Sequence, residues 1–170
     1  MKAKNLFLII LFLVPVSVCS QISNEFSITG HINGVKNGDI VMLHKVEGRI
    51  GRLFMQDTLQ NGRFMFKGEI DTLEEIRMTV IGDQYPLKSI PIWIEPGSKT
   101  RISGKGYYPS SWQVKSNVKE QNDEEVYREA VRPFASISDS LFWVYYREGD
   151  KIAQAESDQD RQKQRAATRL

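Results

Sequence analysis

The amino-acid sequence is poor in the residues that build metal and redox sites. Its 170 residues include one cysteine, Cys19, and two histidines, His31 and His44. A single cysteine excludes an internal disulfide, a Cys-x-x-Cys redox pair and a cysteine-based zinc site. A zinc or iron site would need further ligands that converge on the two histidines. We therefore expect no metal site and no cofactor.

Motifs of hydrolases and phosphate-binding proteins are also missing. There is no Gly-x-Ser-x-Gly elbow, and Gly104-Lys105-Gly106 lacks the third glycine and the helix of a phosphate-binding loop. Asp57 and Glu95 stand in well-marked turns and could form an acid/base pair, but turn carboxylates usually accept nearby backbone N–H groups. The sequence therefore predicts no catalytic residue and no enzyme.

The chain has little excess charge of either sign. Without Lys2 and Lys4, the 23 basic residues fall to 21, which equals the 21 acidic residues. A neutral chain does not favour nucleic acid or an anionic membrane surface as a partner. We expect neither.

The first 20 residues resemble a secretory signal peptide. Lys2 and Lys4 are followed by the apolar run 6–14, and Pro15 precedes a stretch of small residues that ends at Ser20. The run is shorter than the roughly 20 apolar residues of a membrane-spanning helix. This pattern predicts export to the periplasm or the outer membrane, with cleavage after Ser20.

Cys19 offers an alternative to simple cleavage. Val16-Ser17-Val18-Cys19 loosely resembles a lipoprotein signal, in which the cysteine becomes the lipidated first residue. Val18 is bulkier than the small residue that usually precedes such a cysteine, so simple cleavage is favoured. Membrane contact is expected only through the signal peptide or a lipidated Cys19.

A tight turn marks the centre of a predicted β-domain. Asn61-Gly62 fits a type I′ turn, because both residues adopt positive φ at low cost. Phe64 and Phe66 then alternate with polar or flexible residues, which places both rings on one face of a half-buried strand. We predict a hairpin in which 51–60 pairs with 63–70.

Similar alternation predicts the remaining strands. Gly30 lies on the apolar face of the first strand, where a bulge or a close backbone approach would suit it, and Pro91 indicates an edge position or a bulge. Asp71 and Glu74 have the spacing to cap a single helical turn. The other predicted strands are 26–32, 40–45, 76–80, 89–94, 100–103 and 112–115. The predicted fold is an antiparallel β-sandwich or open barrel of about seven or eight strands, spanning 21–116.

The pattern changes to helical periodicity after Asn117. Apolar residues recur at intervals of three and four, and Asn122 or Asp123 is a candidate N-cap. Pro133 removes one backbone hydrogen bond and predicts a kink or a split. The apolar positions are Tyr127, Ala130, Val131, Phe134, Ile137, Leu141 and Tyr145. We predict a kinked amphipathic helix over 117–148, which lies across the sheet or leads to another domain, and a polar tail over 149–170 that is helical or disordered.

Four aromatic residues form the candidate ligand or partner surface. Trp93, Tyr107, Tyr108 and Trp112 are grouped around one predicted loop, and rigid aromatic area suits binding to sugars, peptides or a partner domain. Packing against the sandwich is the more common role of such residues, and we favour it. Tyr107 and Tyr108 are the two that we expect to be exposed.

Three triplets resemble acceptor sites for bacterial O-glycosylation. They are Asp57-Thr58-Leu59, Asp71-Thr72-Leu73 and Asp139-Ser140-Leu141. Such triplets also occur as turns and caps, and the third lies in the predicted helix. Thr58 and Thr72 are therefore the candidate acceptors, with Thr72 the stronger.

Taken in order, these motifs resemble the domain of unknown function that precedes the thioredoxin-like domain in exported TlpA/ResA-type thiol-disulfide oxidoreductases of Gram-negative bacteria. The resemblance covers about residues 24–146 and includes the strand at 26–32, the turn segment 57–68, Ile92-Trp93-Ile94-Glu95-Pro96-Gly97 and a helix with a central proline, Pro133. In that family a linker helix and a Trp-Cys-x-x-Cys domain follow, and no such motif occurs in 1–170.

The resemblance implies a non-catalytic cell-envelope module that positions or dimerises a thioredoxin-like domain in cis or in trans. The helical pattern has no end signal before Leu170, which favours a truncated or split member of that family. The alternative function is a stand-alone glycan- or peptide-binding domain that uses the loop from Tyr107 to Trp112.

Overall fold

Eight β-strands, one long helix and a 3₁₀ turn make up the described part of the chain. The computed structural model describes residues 23–47, 50–82 and 88–167; the predicted signal peptide and Cys19 lie outside them. The elements are β1 (Glu25–Asn33), β2 (Ile40–Glu47), β3 (Ile50–Thr58), β4 (Arg63–Glu69), β5 (Glu74–Ile81), β6 (Ile90–Ile94), β7 (Lys99–Lys105), a 3₁₀ turn (Pro109–Ser111), β8 (Gln113–Ser116) and α1 (Lys119–Ala167).

The strands form two four-stranded sheets. The first sheet has the order β4-β1-β7-β8 and the second has the order β3-β2-β5-β6. This arrangement confirms a mainly-β sandwich of eight strands. The sheets are not purely antiparallel, however, because β1 and β7 run parallel side by side. The connections between them cross to the other sheet, which lets both strands enter the first sheet in the same direction.

The core lies between the sheets and follows the predicted alternation. Along β4, Phe64 and Phe66 point inward and are 5% and 2% exposed, while Met65 between them is 54% exposed. Their ring centroids are 5.8 Å apart. The two phenylalanines therefore pack inside the sandwich, as the sequence predicts. Other fully buried core residues include Phe26, Ile28, Ile32, Leu43, Leu59, Ile76, Met78, Ile92, Ile94 and Ile102.

Glycines in the first sheet lie beneath aromatic rings on the neighbouring strand. Gly30 of β1 pairs with Phe64 of β4, and Phe26 pairs with Gly68. A Cβ atom on Gly30 would lie 2.0 Å from Cζ of Phe64, so the ring occupies the space of the missing side chain. Gly30 thus lies at neither a bulge nor a close backbone contact; its missing side chain lets the Phe64 ring lie flat on the sheet.

The turn at Asn61-Gly62 has the predicted conformation but does not join a hairpin. Asn61 has a φ of 52° and Gly62 a φ of 71°, and Gln60 and Arg63 exchange backbone hydrogen bonds of 3.0 and 3.2 Å. Beyond that single bridge the strands separate, because β3 pairs with β2 and β4 pairs with β1. The predicted pairing of 51–60 with 63–70 is therefore wrong, and the turn is a corner between the two sheets.

Asp57 stabilises this corner. One carboxylate oxygen accepts the backbone N–H of Thr58 at 2.8 Å, and the other accepts that of Met65 at 2.9 Å. The side chain thus links the end of β3 to β4, where no strand ladder joins them. This is the local structural role expected of a turn carboxylate.

Replacing Gly62 with alanine should lower stability by more than the strain of an alanine at positive φ, because the new Cβ atom would also clash with a neighbouring strand. A Cβ atom on Gly62 would lie 2.3 Å from the backbone oxygen of Ile32, whereas one on Gly38, with a φ of 95°, meets nothing within 4 Å. We expect Gly62→Ala to lower the free energy of unfolding by about 3 kcal/mol and the control Gly38→Ala by about 1 kcal/mol. Urea titration measures both, and equal losses would contradict the corner geometry.

Two smaller predictions about the β-domain have opposite outcomes. Residues 71–72 form a bend that leads directly into β5, so the predicted helical turn is wrong; Asp71 instead accepts a hydrogen bond of 3.1 Å from the amide of Asn24. Pro91 lies on β6, an edge of the second sheet, as predicted.

The helix starts earlier than its predicted caps, and beyond Gly149 it follows the helical one of the two predicted alternatives. It runs without interruption for 49 residues from Lys119 to Ala167, so Pro133 does not split it and the segment after Gly149 is helical. It also begins before the predicted caps: the N–H of Val118 donates to Ser116 Oγ at 3.2 Å, and Asp123 pairs with Lys119. Among the described residues, no helix is long and apolar enough to span a membrane.

Candidate functional site

The helix closes one side of the sandwich. It packs against β6 and β8, the edge strands of the two sheets, and against the 3₁₀ turn before β8. The residues on this inner face are buried or half-buried and recur at intervals of three and four. They are Gln121, Glu124, Glu125, Arg128, Val131, Arg132, Ala135, Asp139, Phe142, Trp143 and Tyr146. The inner face is therefore mixed, with about as many charged or amide side chains as apolar ones, unlike the face of a helix that packs on a hydrophobic sheet.

Arg128 attaches the helix to the segment before β8. Its Nη2 donates to the backbone oxygens of Pro109 and Trp112, both at 2.9 Å. Its Nη1 lies 2.7 Å from Oε2 of Glu125, and that carboxylate also accepts the N–H of Val114 at 3.4 Å. One guanidinium thus holds the 3₁₀ turn and the start of β8 against the helix.

Gln121 covers the edge of the second sheet. Its Oε1 accepts the backbone N–H of Trp93 at 2.8 Å, and the side chain is fully buried. Two residues earlier on β6, Pro91 has no N–H to offer. Neither outward position of this edge strand therefore offers a free backbone N–H to another chain.

A groove of about 310 Å³ lies between the helix, β6 and the 3₁₀ turn. Lys88 Nζ is 2.7 Å from Oδ1 of Asp139, which is 5% exposed, and the other oxygen of Asp139 accepts the N–H of Ser110 at 3.3 Å. Arg132 pairs with Glu125 at 3.4 Å. Each of these charged groups is paired with a group of opposite sign in the same protein. The pairs therefore help to hold the helix against the sandwich.

The opposite face of the helix carries a row of exposed apolar side chains. Phe134 is 75% exposed, Leu141 65% and Tyr145 77%. At about 100° per residue, these positions lie on the far side of the helix from Ala135 and Asp139. We call this set the outer stripe: Tyr127, Phe134, Ile137, Leu141, Val144 and Tyr145. Among the predicted apolar positions of the helix, Val131 is half-buried on the side of the sandwich. The predicted positions that belong to the outer stripe are exposed to solvent.

Solvent-exposed ion pairs lie beyond the two ends of the outer stripe. A hydrogen bond to Asp123 raises the pKa of Lys119. The hydrogen bond from Lys151, 2.9 Å away, lowers the pKa of Glu148. Such pairs support the helix modestly and form no acid/base site.

The predicted aromatic surface does not assemble. Trp112 is 0% and Tyr107 5% exposed, so the expectation that Tyr107 is exposed is wrong. Its hydroxyl donates to Asp39 Oδ2 and accepts the N–H of Lys36 at 3.3 Å. Tyr108 is 39% exposed and stacks edge-on against Trp143 of the helix, with ring centroids 5.8 Å apart, and Trp93 is half-buried.

Other candidate site residues are dispersed. Asp57 lies on β3 and Glu95 follows β6, the opposite edges of the second sheet. His31 is on β1 and His44 on β2, in different sheets. In 23–47, 50–82 and 88–167, no group of three or more His, Cys, Asp and Glu is arranged to hold a metal ion. Thr58 and Thr72 are exposed, whereas Ser140 lies within the helix.

Sequence reasoning missed the residues that hold the helix. Arg128, Gln121 and Asp139 lie at helical spacing on one face. A row of polar residues at that spacing usually indicates a solvent-exposed face. The signal that could have identified them is this second row of residues at helical spacing, on the side of the helix opposite the apolar row.

A comparison with protein families identifies one match. The family described as a domain of unknown function, DUF4369, matches residues 26–128. The matched region begins in β1 and ends at Arg128, so it contains the whole sandwich and the start of the helix. Searches of curated proteins and of solved structures each gave no match. The matched region covers more than half of the chain, which therefore belongs to the DUF4369 family.

Proposed function

We propose that this chain is a non-catalytic module of the bacterial cell envelope that positions or dimerises a thioredoxin-like thiol-disulfide oxidoreductase domain. The partner domain is joined in cis or bound in trans. The chain itself is exported through its first 20 residues, and it contributes no redox residue to the reaction.

The long docked helix is the observation that carries this proposal. Trp143 contacts Tyr108 in the loop before β8, and the helix continues to Ala167. At about 1.5 Å per residue, this leaves roughly 36 Å of helix beyond that contact. Such a helix acts as a spacer that holds whatever follows or binds it at a defined distance from the sandwich.

Binding of glycans or peptides by the aromatic loop is less well supported. Of the four aromatic residues, only Tyr108 is more than one third exposed, and its ring contacts Trp143. A flat stacking platform needs two or more accessible rings.

The proposal is tested first by reading the genomic DNA around the codon for Leu170. We expect a Trp-Cys-x-x-Cys segment to be encoded in frame or in the adjacent gene. That thioredoxin-like domain is then purified with and without this chain, and insulin reduction is measured. We expect no turnover by this chain alone and an altered rate when the two are combined or fused.

The proposal predicts that the effect depends on the helix as a spacer. Shortening the exposed helical segment by deleting 153–159, two turns, should change the effect on insulin reduction while the sandwich keeps its unfolding midpoint. Absence of any such domain from the neighbouring DNA, together with no effect on the rate, would overturn the proposal.

A further inference from the structure

The outer stripe is larger than a soluble monomer usually leaves exposed. Its six side chains are between 48% and 77% exposed. From the usual sizes of these side chains, they present roughly 700 Å² to solvent, close to the ~800 Å² that each partner contributes to a standard specific interface. Contiguous apolar patches of this size on a monomer mark interaction sites. Something should cover the stripe.

The spacing of the stripe selects another helix as the occupant. Tyr127, Phe134 and Leu141 are seven residues apart, and Ile137 and Val144 form a second row with the same spacing. This is the 3.5-residue repeat with which two helices pack side by side, knobs into holes. Binding to a flat protein surface does not require apolar residues at a seven-residue spacing.

We propose that the stripe binds the same stripe of a second copy of this chain, and that the two helices run antiparallel. The crossing point lies at the turn of Ser138 to Ser140. Phe134 then packs against Val144 of the second copy, and Ile137 packs against Leu141. This inference deepens the proposed function and rests on it, because the dimer would place two thioredoxin-like domains at opposite ends of one paired helix.

Charge decides between a parallel and an antiparallel pair of helices. Continuing the seven-residue repeat places Glu148 and Lys151 at the next positions of the seam, the line along which the two helices would touch. In a parallel pair, Glu148 would face Glu148 of the second copy and Lys151 would face Lys151. Like charges in contact are destabilising. In the antiparallel pair Glu148 faces Ala130 and Lys151 faces Tyr127, so no like charges meet. The helix macrodipoles also oppose one another favourably.

The sandwich does not obstruct this pairing. It contacts the helix mainly through Gln121, Arg128 and Asp139, on the face turned away from the stripe, and Lys88 also donates to Ser138 Oγ at 3.0 Å beside the stripe. Each sandwich therefore lies on the outside of the pair. Of the positions that flank the seam, Ser138, Ser140 and Val126 are uncharged, and Arg147 lies opposite Pro133 of the second copy, which carries no charge.

Sedimentation velocity over a concentration series of the full chain, expressed with its own first 20 residues, tests the dimer. We expect a monomer–dimer equilibrium that Phe134→Glu/Leu141→Glu weakens at least about 100-fold, since two apolar contacts per copy become buried charges. The control Leu53→Glu/Met65→Glu has the same charge change at sandwich positions that are 48% and 54% exposed. It should shift the dissociation constant by less than about threefold.

Cross-linking tests the direction of the helices. In a Cys19→Ser background, a short bis-maleimide should join copies of the double variant Phe134→Cys/Val144→Cys and fail with Phe134→Cys alone. Efficient linking of Phe134→Cys alone would overturn the antiparallel arrangement.

Two results would overturn the dimer itself. One is a chain that stays monomeric throughout the series, and the other is equal weakening by both double variants. Either would leave the proposed function standing if the chain still altered insulin reduction by the thioredoxin-like domain. Loss of that effect with an intact dimer would instead remove the proposed function.

Discussion

Replacing Arg128 with methionine is expected to lower the free energy of unfolding by about 2–4 kcal/mol and to loosen the helix from the sandwich. The change removes two charged hydrogen bonds to backbone oxygens, of Pro109 and Trp112, and leaves Glu125 without its 2.7 Å partner. Charged hydrogen bonds in protected positions contribute about 1.5–3 kcal/mol each, and Glu125 would keep only its longer contact with Arg132, at 3.4 Å. Methionine keeps the helical propensity and the bulk of the side chain.

Urea titration measures the loss, and hydrogen exchange shows where it occurs. Backbone amides of 121–143 should exchange faster in Arg128→Met while those of β1 and β4 change little. Arg147→Met is the matched control, because Arg147 is on the same helix but 68% exposed. It should change stability by no more than about 0.5 kcal/mol. Similar losses in both variants would show that Arg128 does not anchor the helix.

Trp112→Ala should be the most destabilising single substitution among these, with a loss of about 4 kcal/mol. Trp112 is fully buried, and its indole N–H donates to the oxygen of Gly106 at 3.0 Å. Gly104 lies directly beneath the ring: a Cβ there would be 2.0 Å from Cδ1 of Trp112. Alanine would leave a cavity that the glycine cannot fill, and such truncations cost about 3–5 kcal/mol.

Tyr108→Ala provides the control for Trp112→Ala. Tyr108 belongs to the same aromatic segment but is 39% exposed, so we expect a loss of about 1 kcal/mol or less. Thermal unfolding of the two variants is the measurement. If Tyr108→Ala were the more damaging, the loop would pack in a different way from that described.

The sequence predicts strands and their faces well because alternation is a local property. Phe64 and Phe66 must share a face wherever the strand pairs, and Gly30 needs a close neighbour whatever that neighbour is. Strand partners are set by contacts between distant parts of the chain. The Asn61-Gly62 turn satisfies its local chemistry equally well at a hairpin and at a corner, and only the competing pairs of β3 with β2 and β4 with β1 decide between them.

The two faces of the helix show the same division between local and distant information. Periodicity correctly indicates an apolar row at Phe134, Ile137 and Leu141, but it does not say what the row contacts. The sandwich takes the other face, because the edge strands it must cover present N–H and C=O groups that need hydrogen-bonding partners. Gln121 and Arg128 supply these partners, and an apolar face could not.

The central claim is that the helix turns the face with Gln121, Arg128 and Asp139 inward and its apolar stripe outward. Thiol labelling with a maleimide tests it most directly, in a Cys19→Ser background that carries either Leu141→Cys or Ala135→Cys. We predict that Leu141→Cys reacts rapidly in dilute protein and becomes protected as the concentration rises, while Ala135→Cys reacts slowly throughout. Rapid labelling of Ala135→Cys, with Leu141→Cys protected at every concentration, would contradict the account.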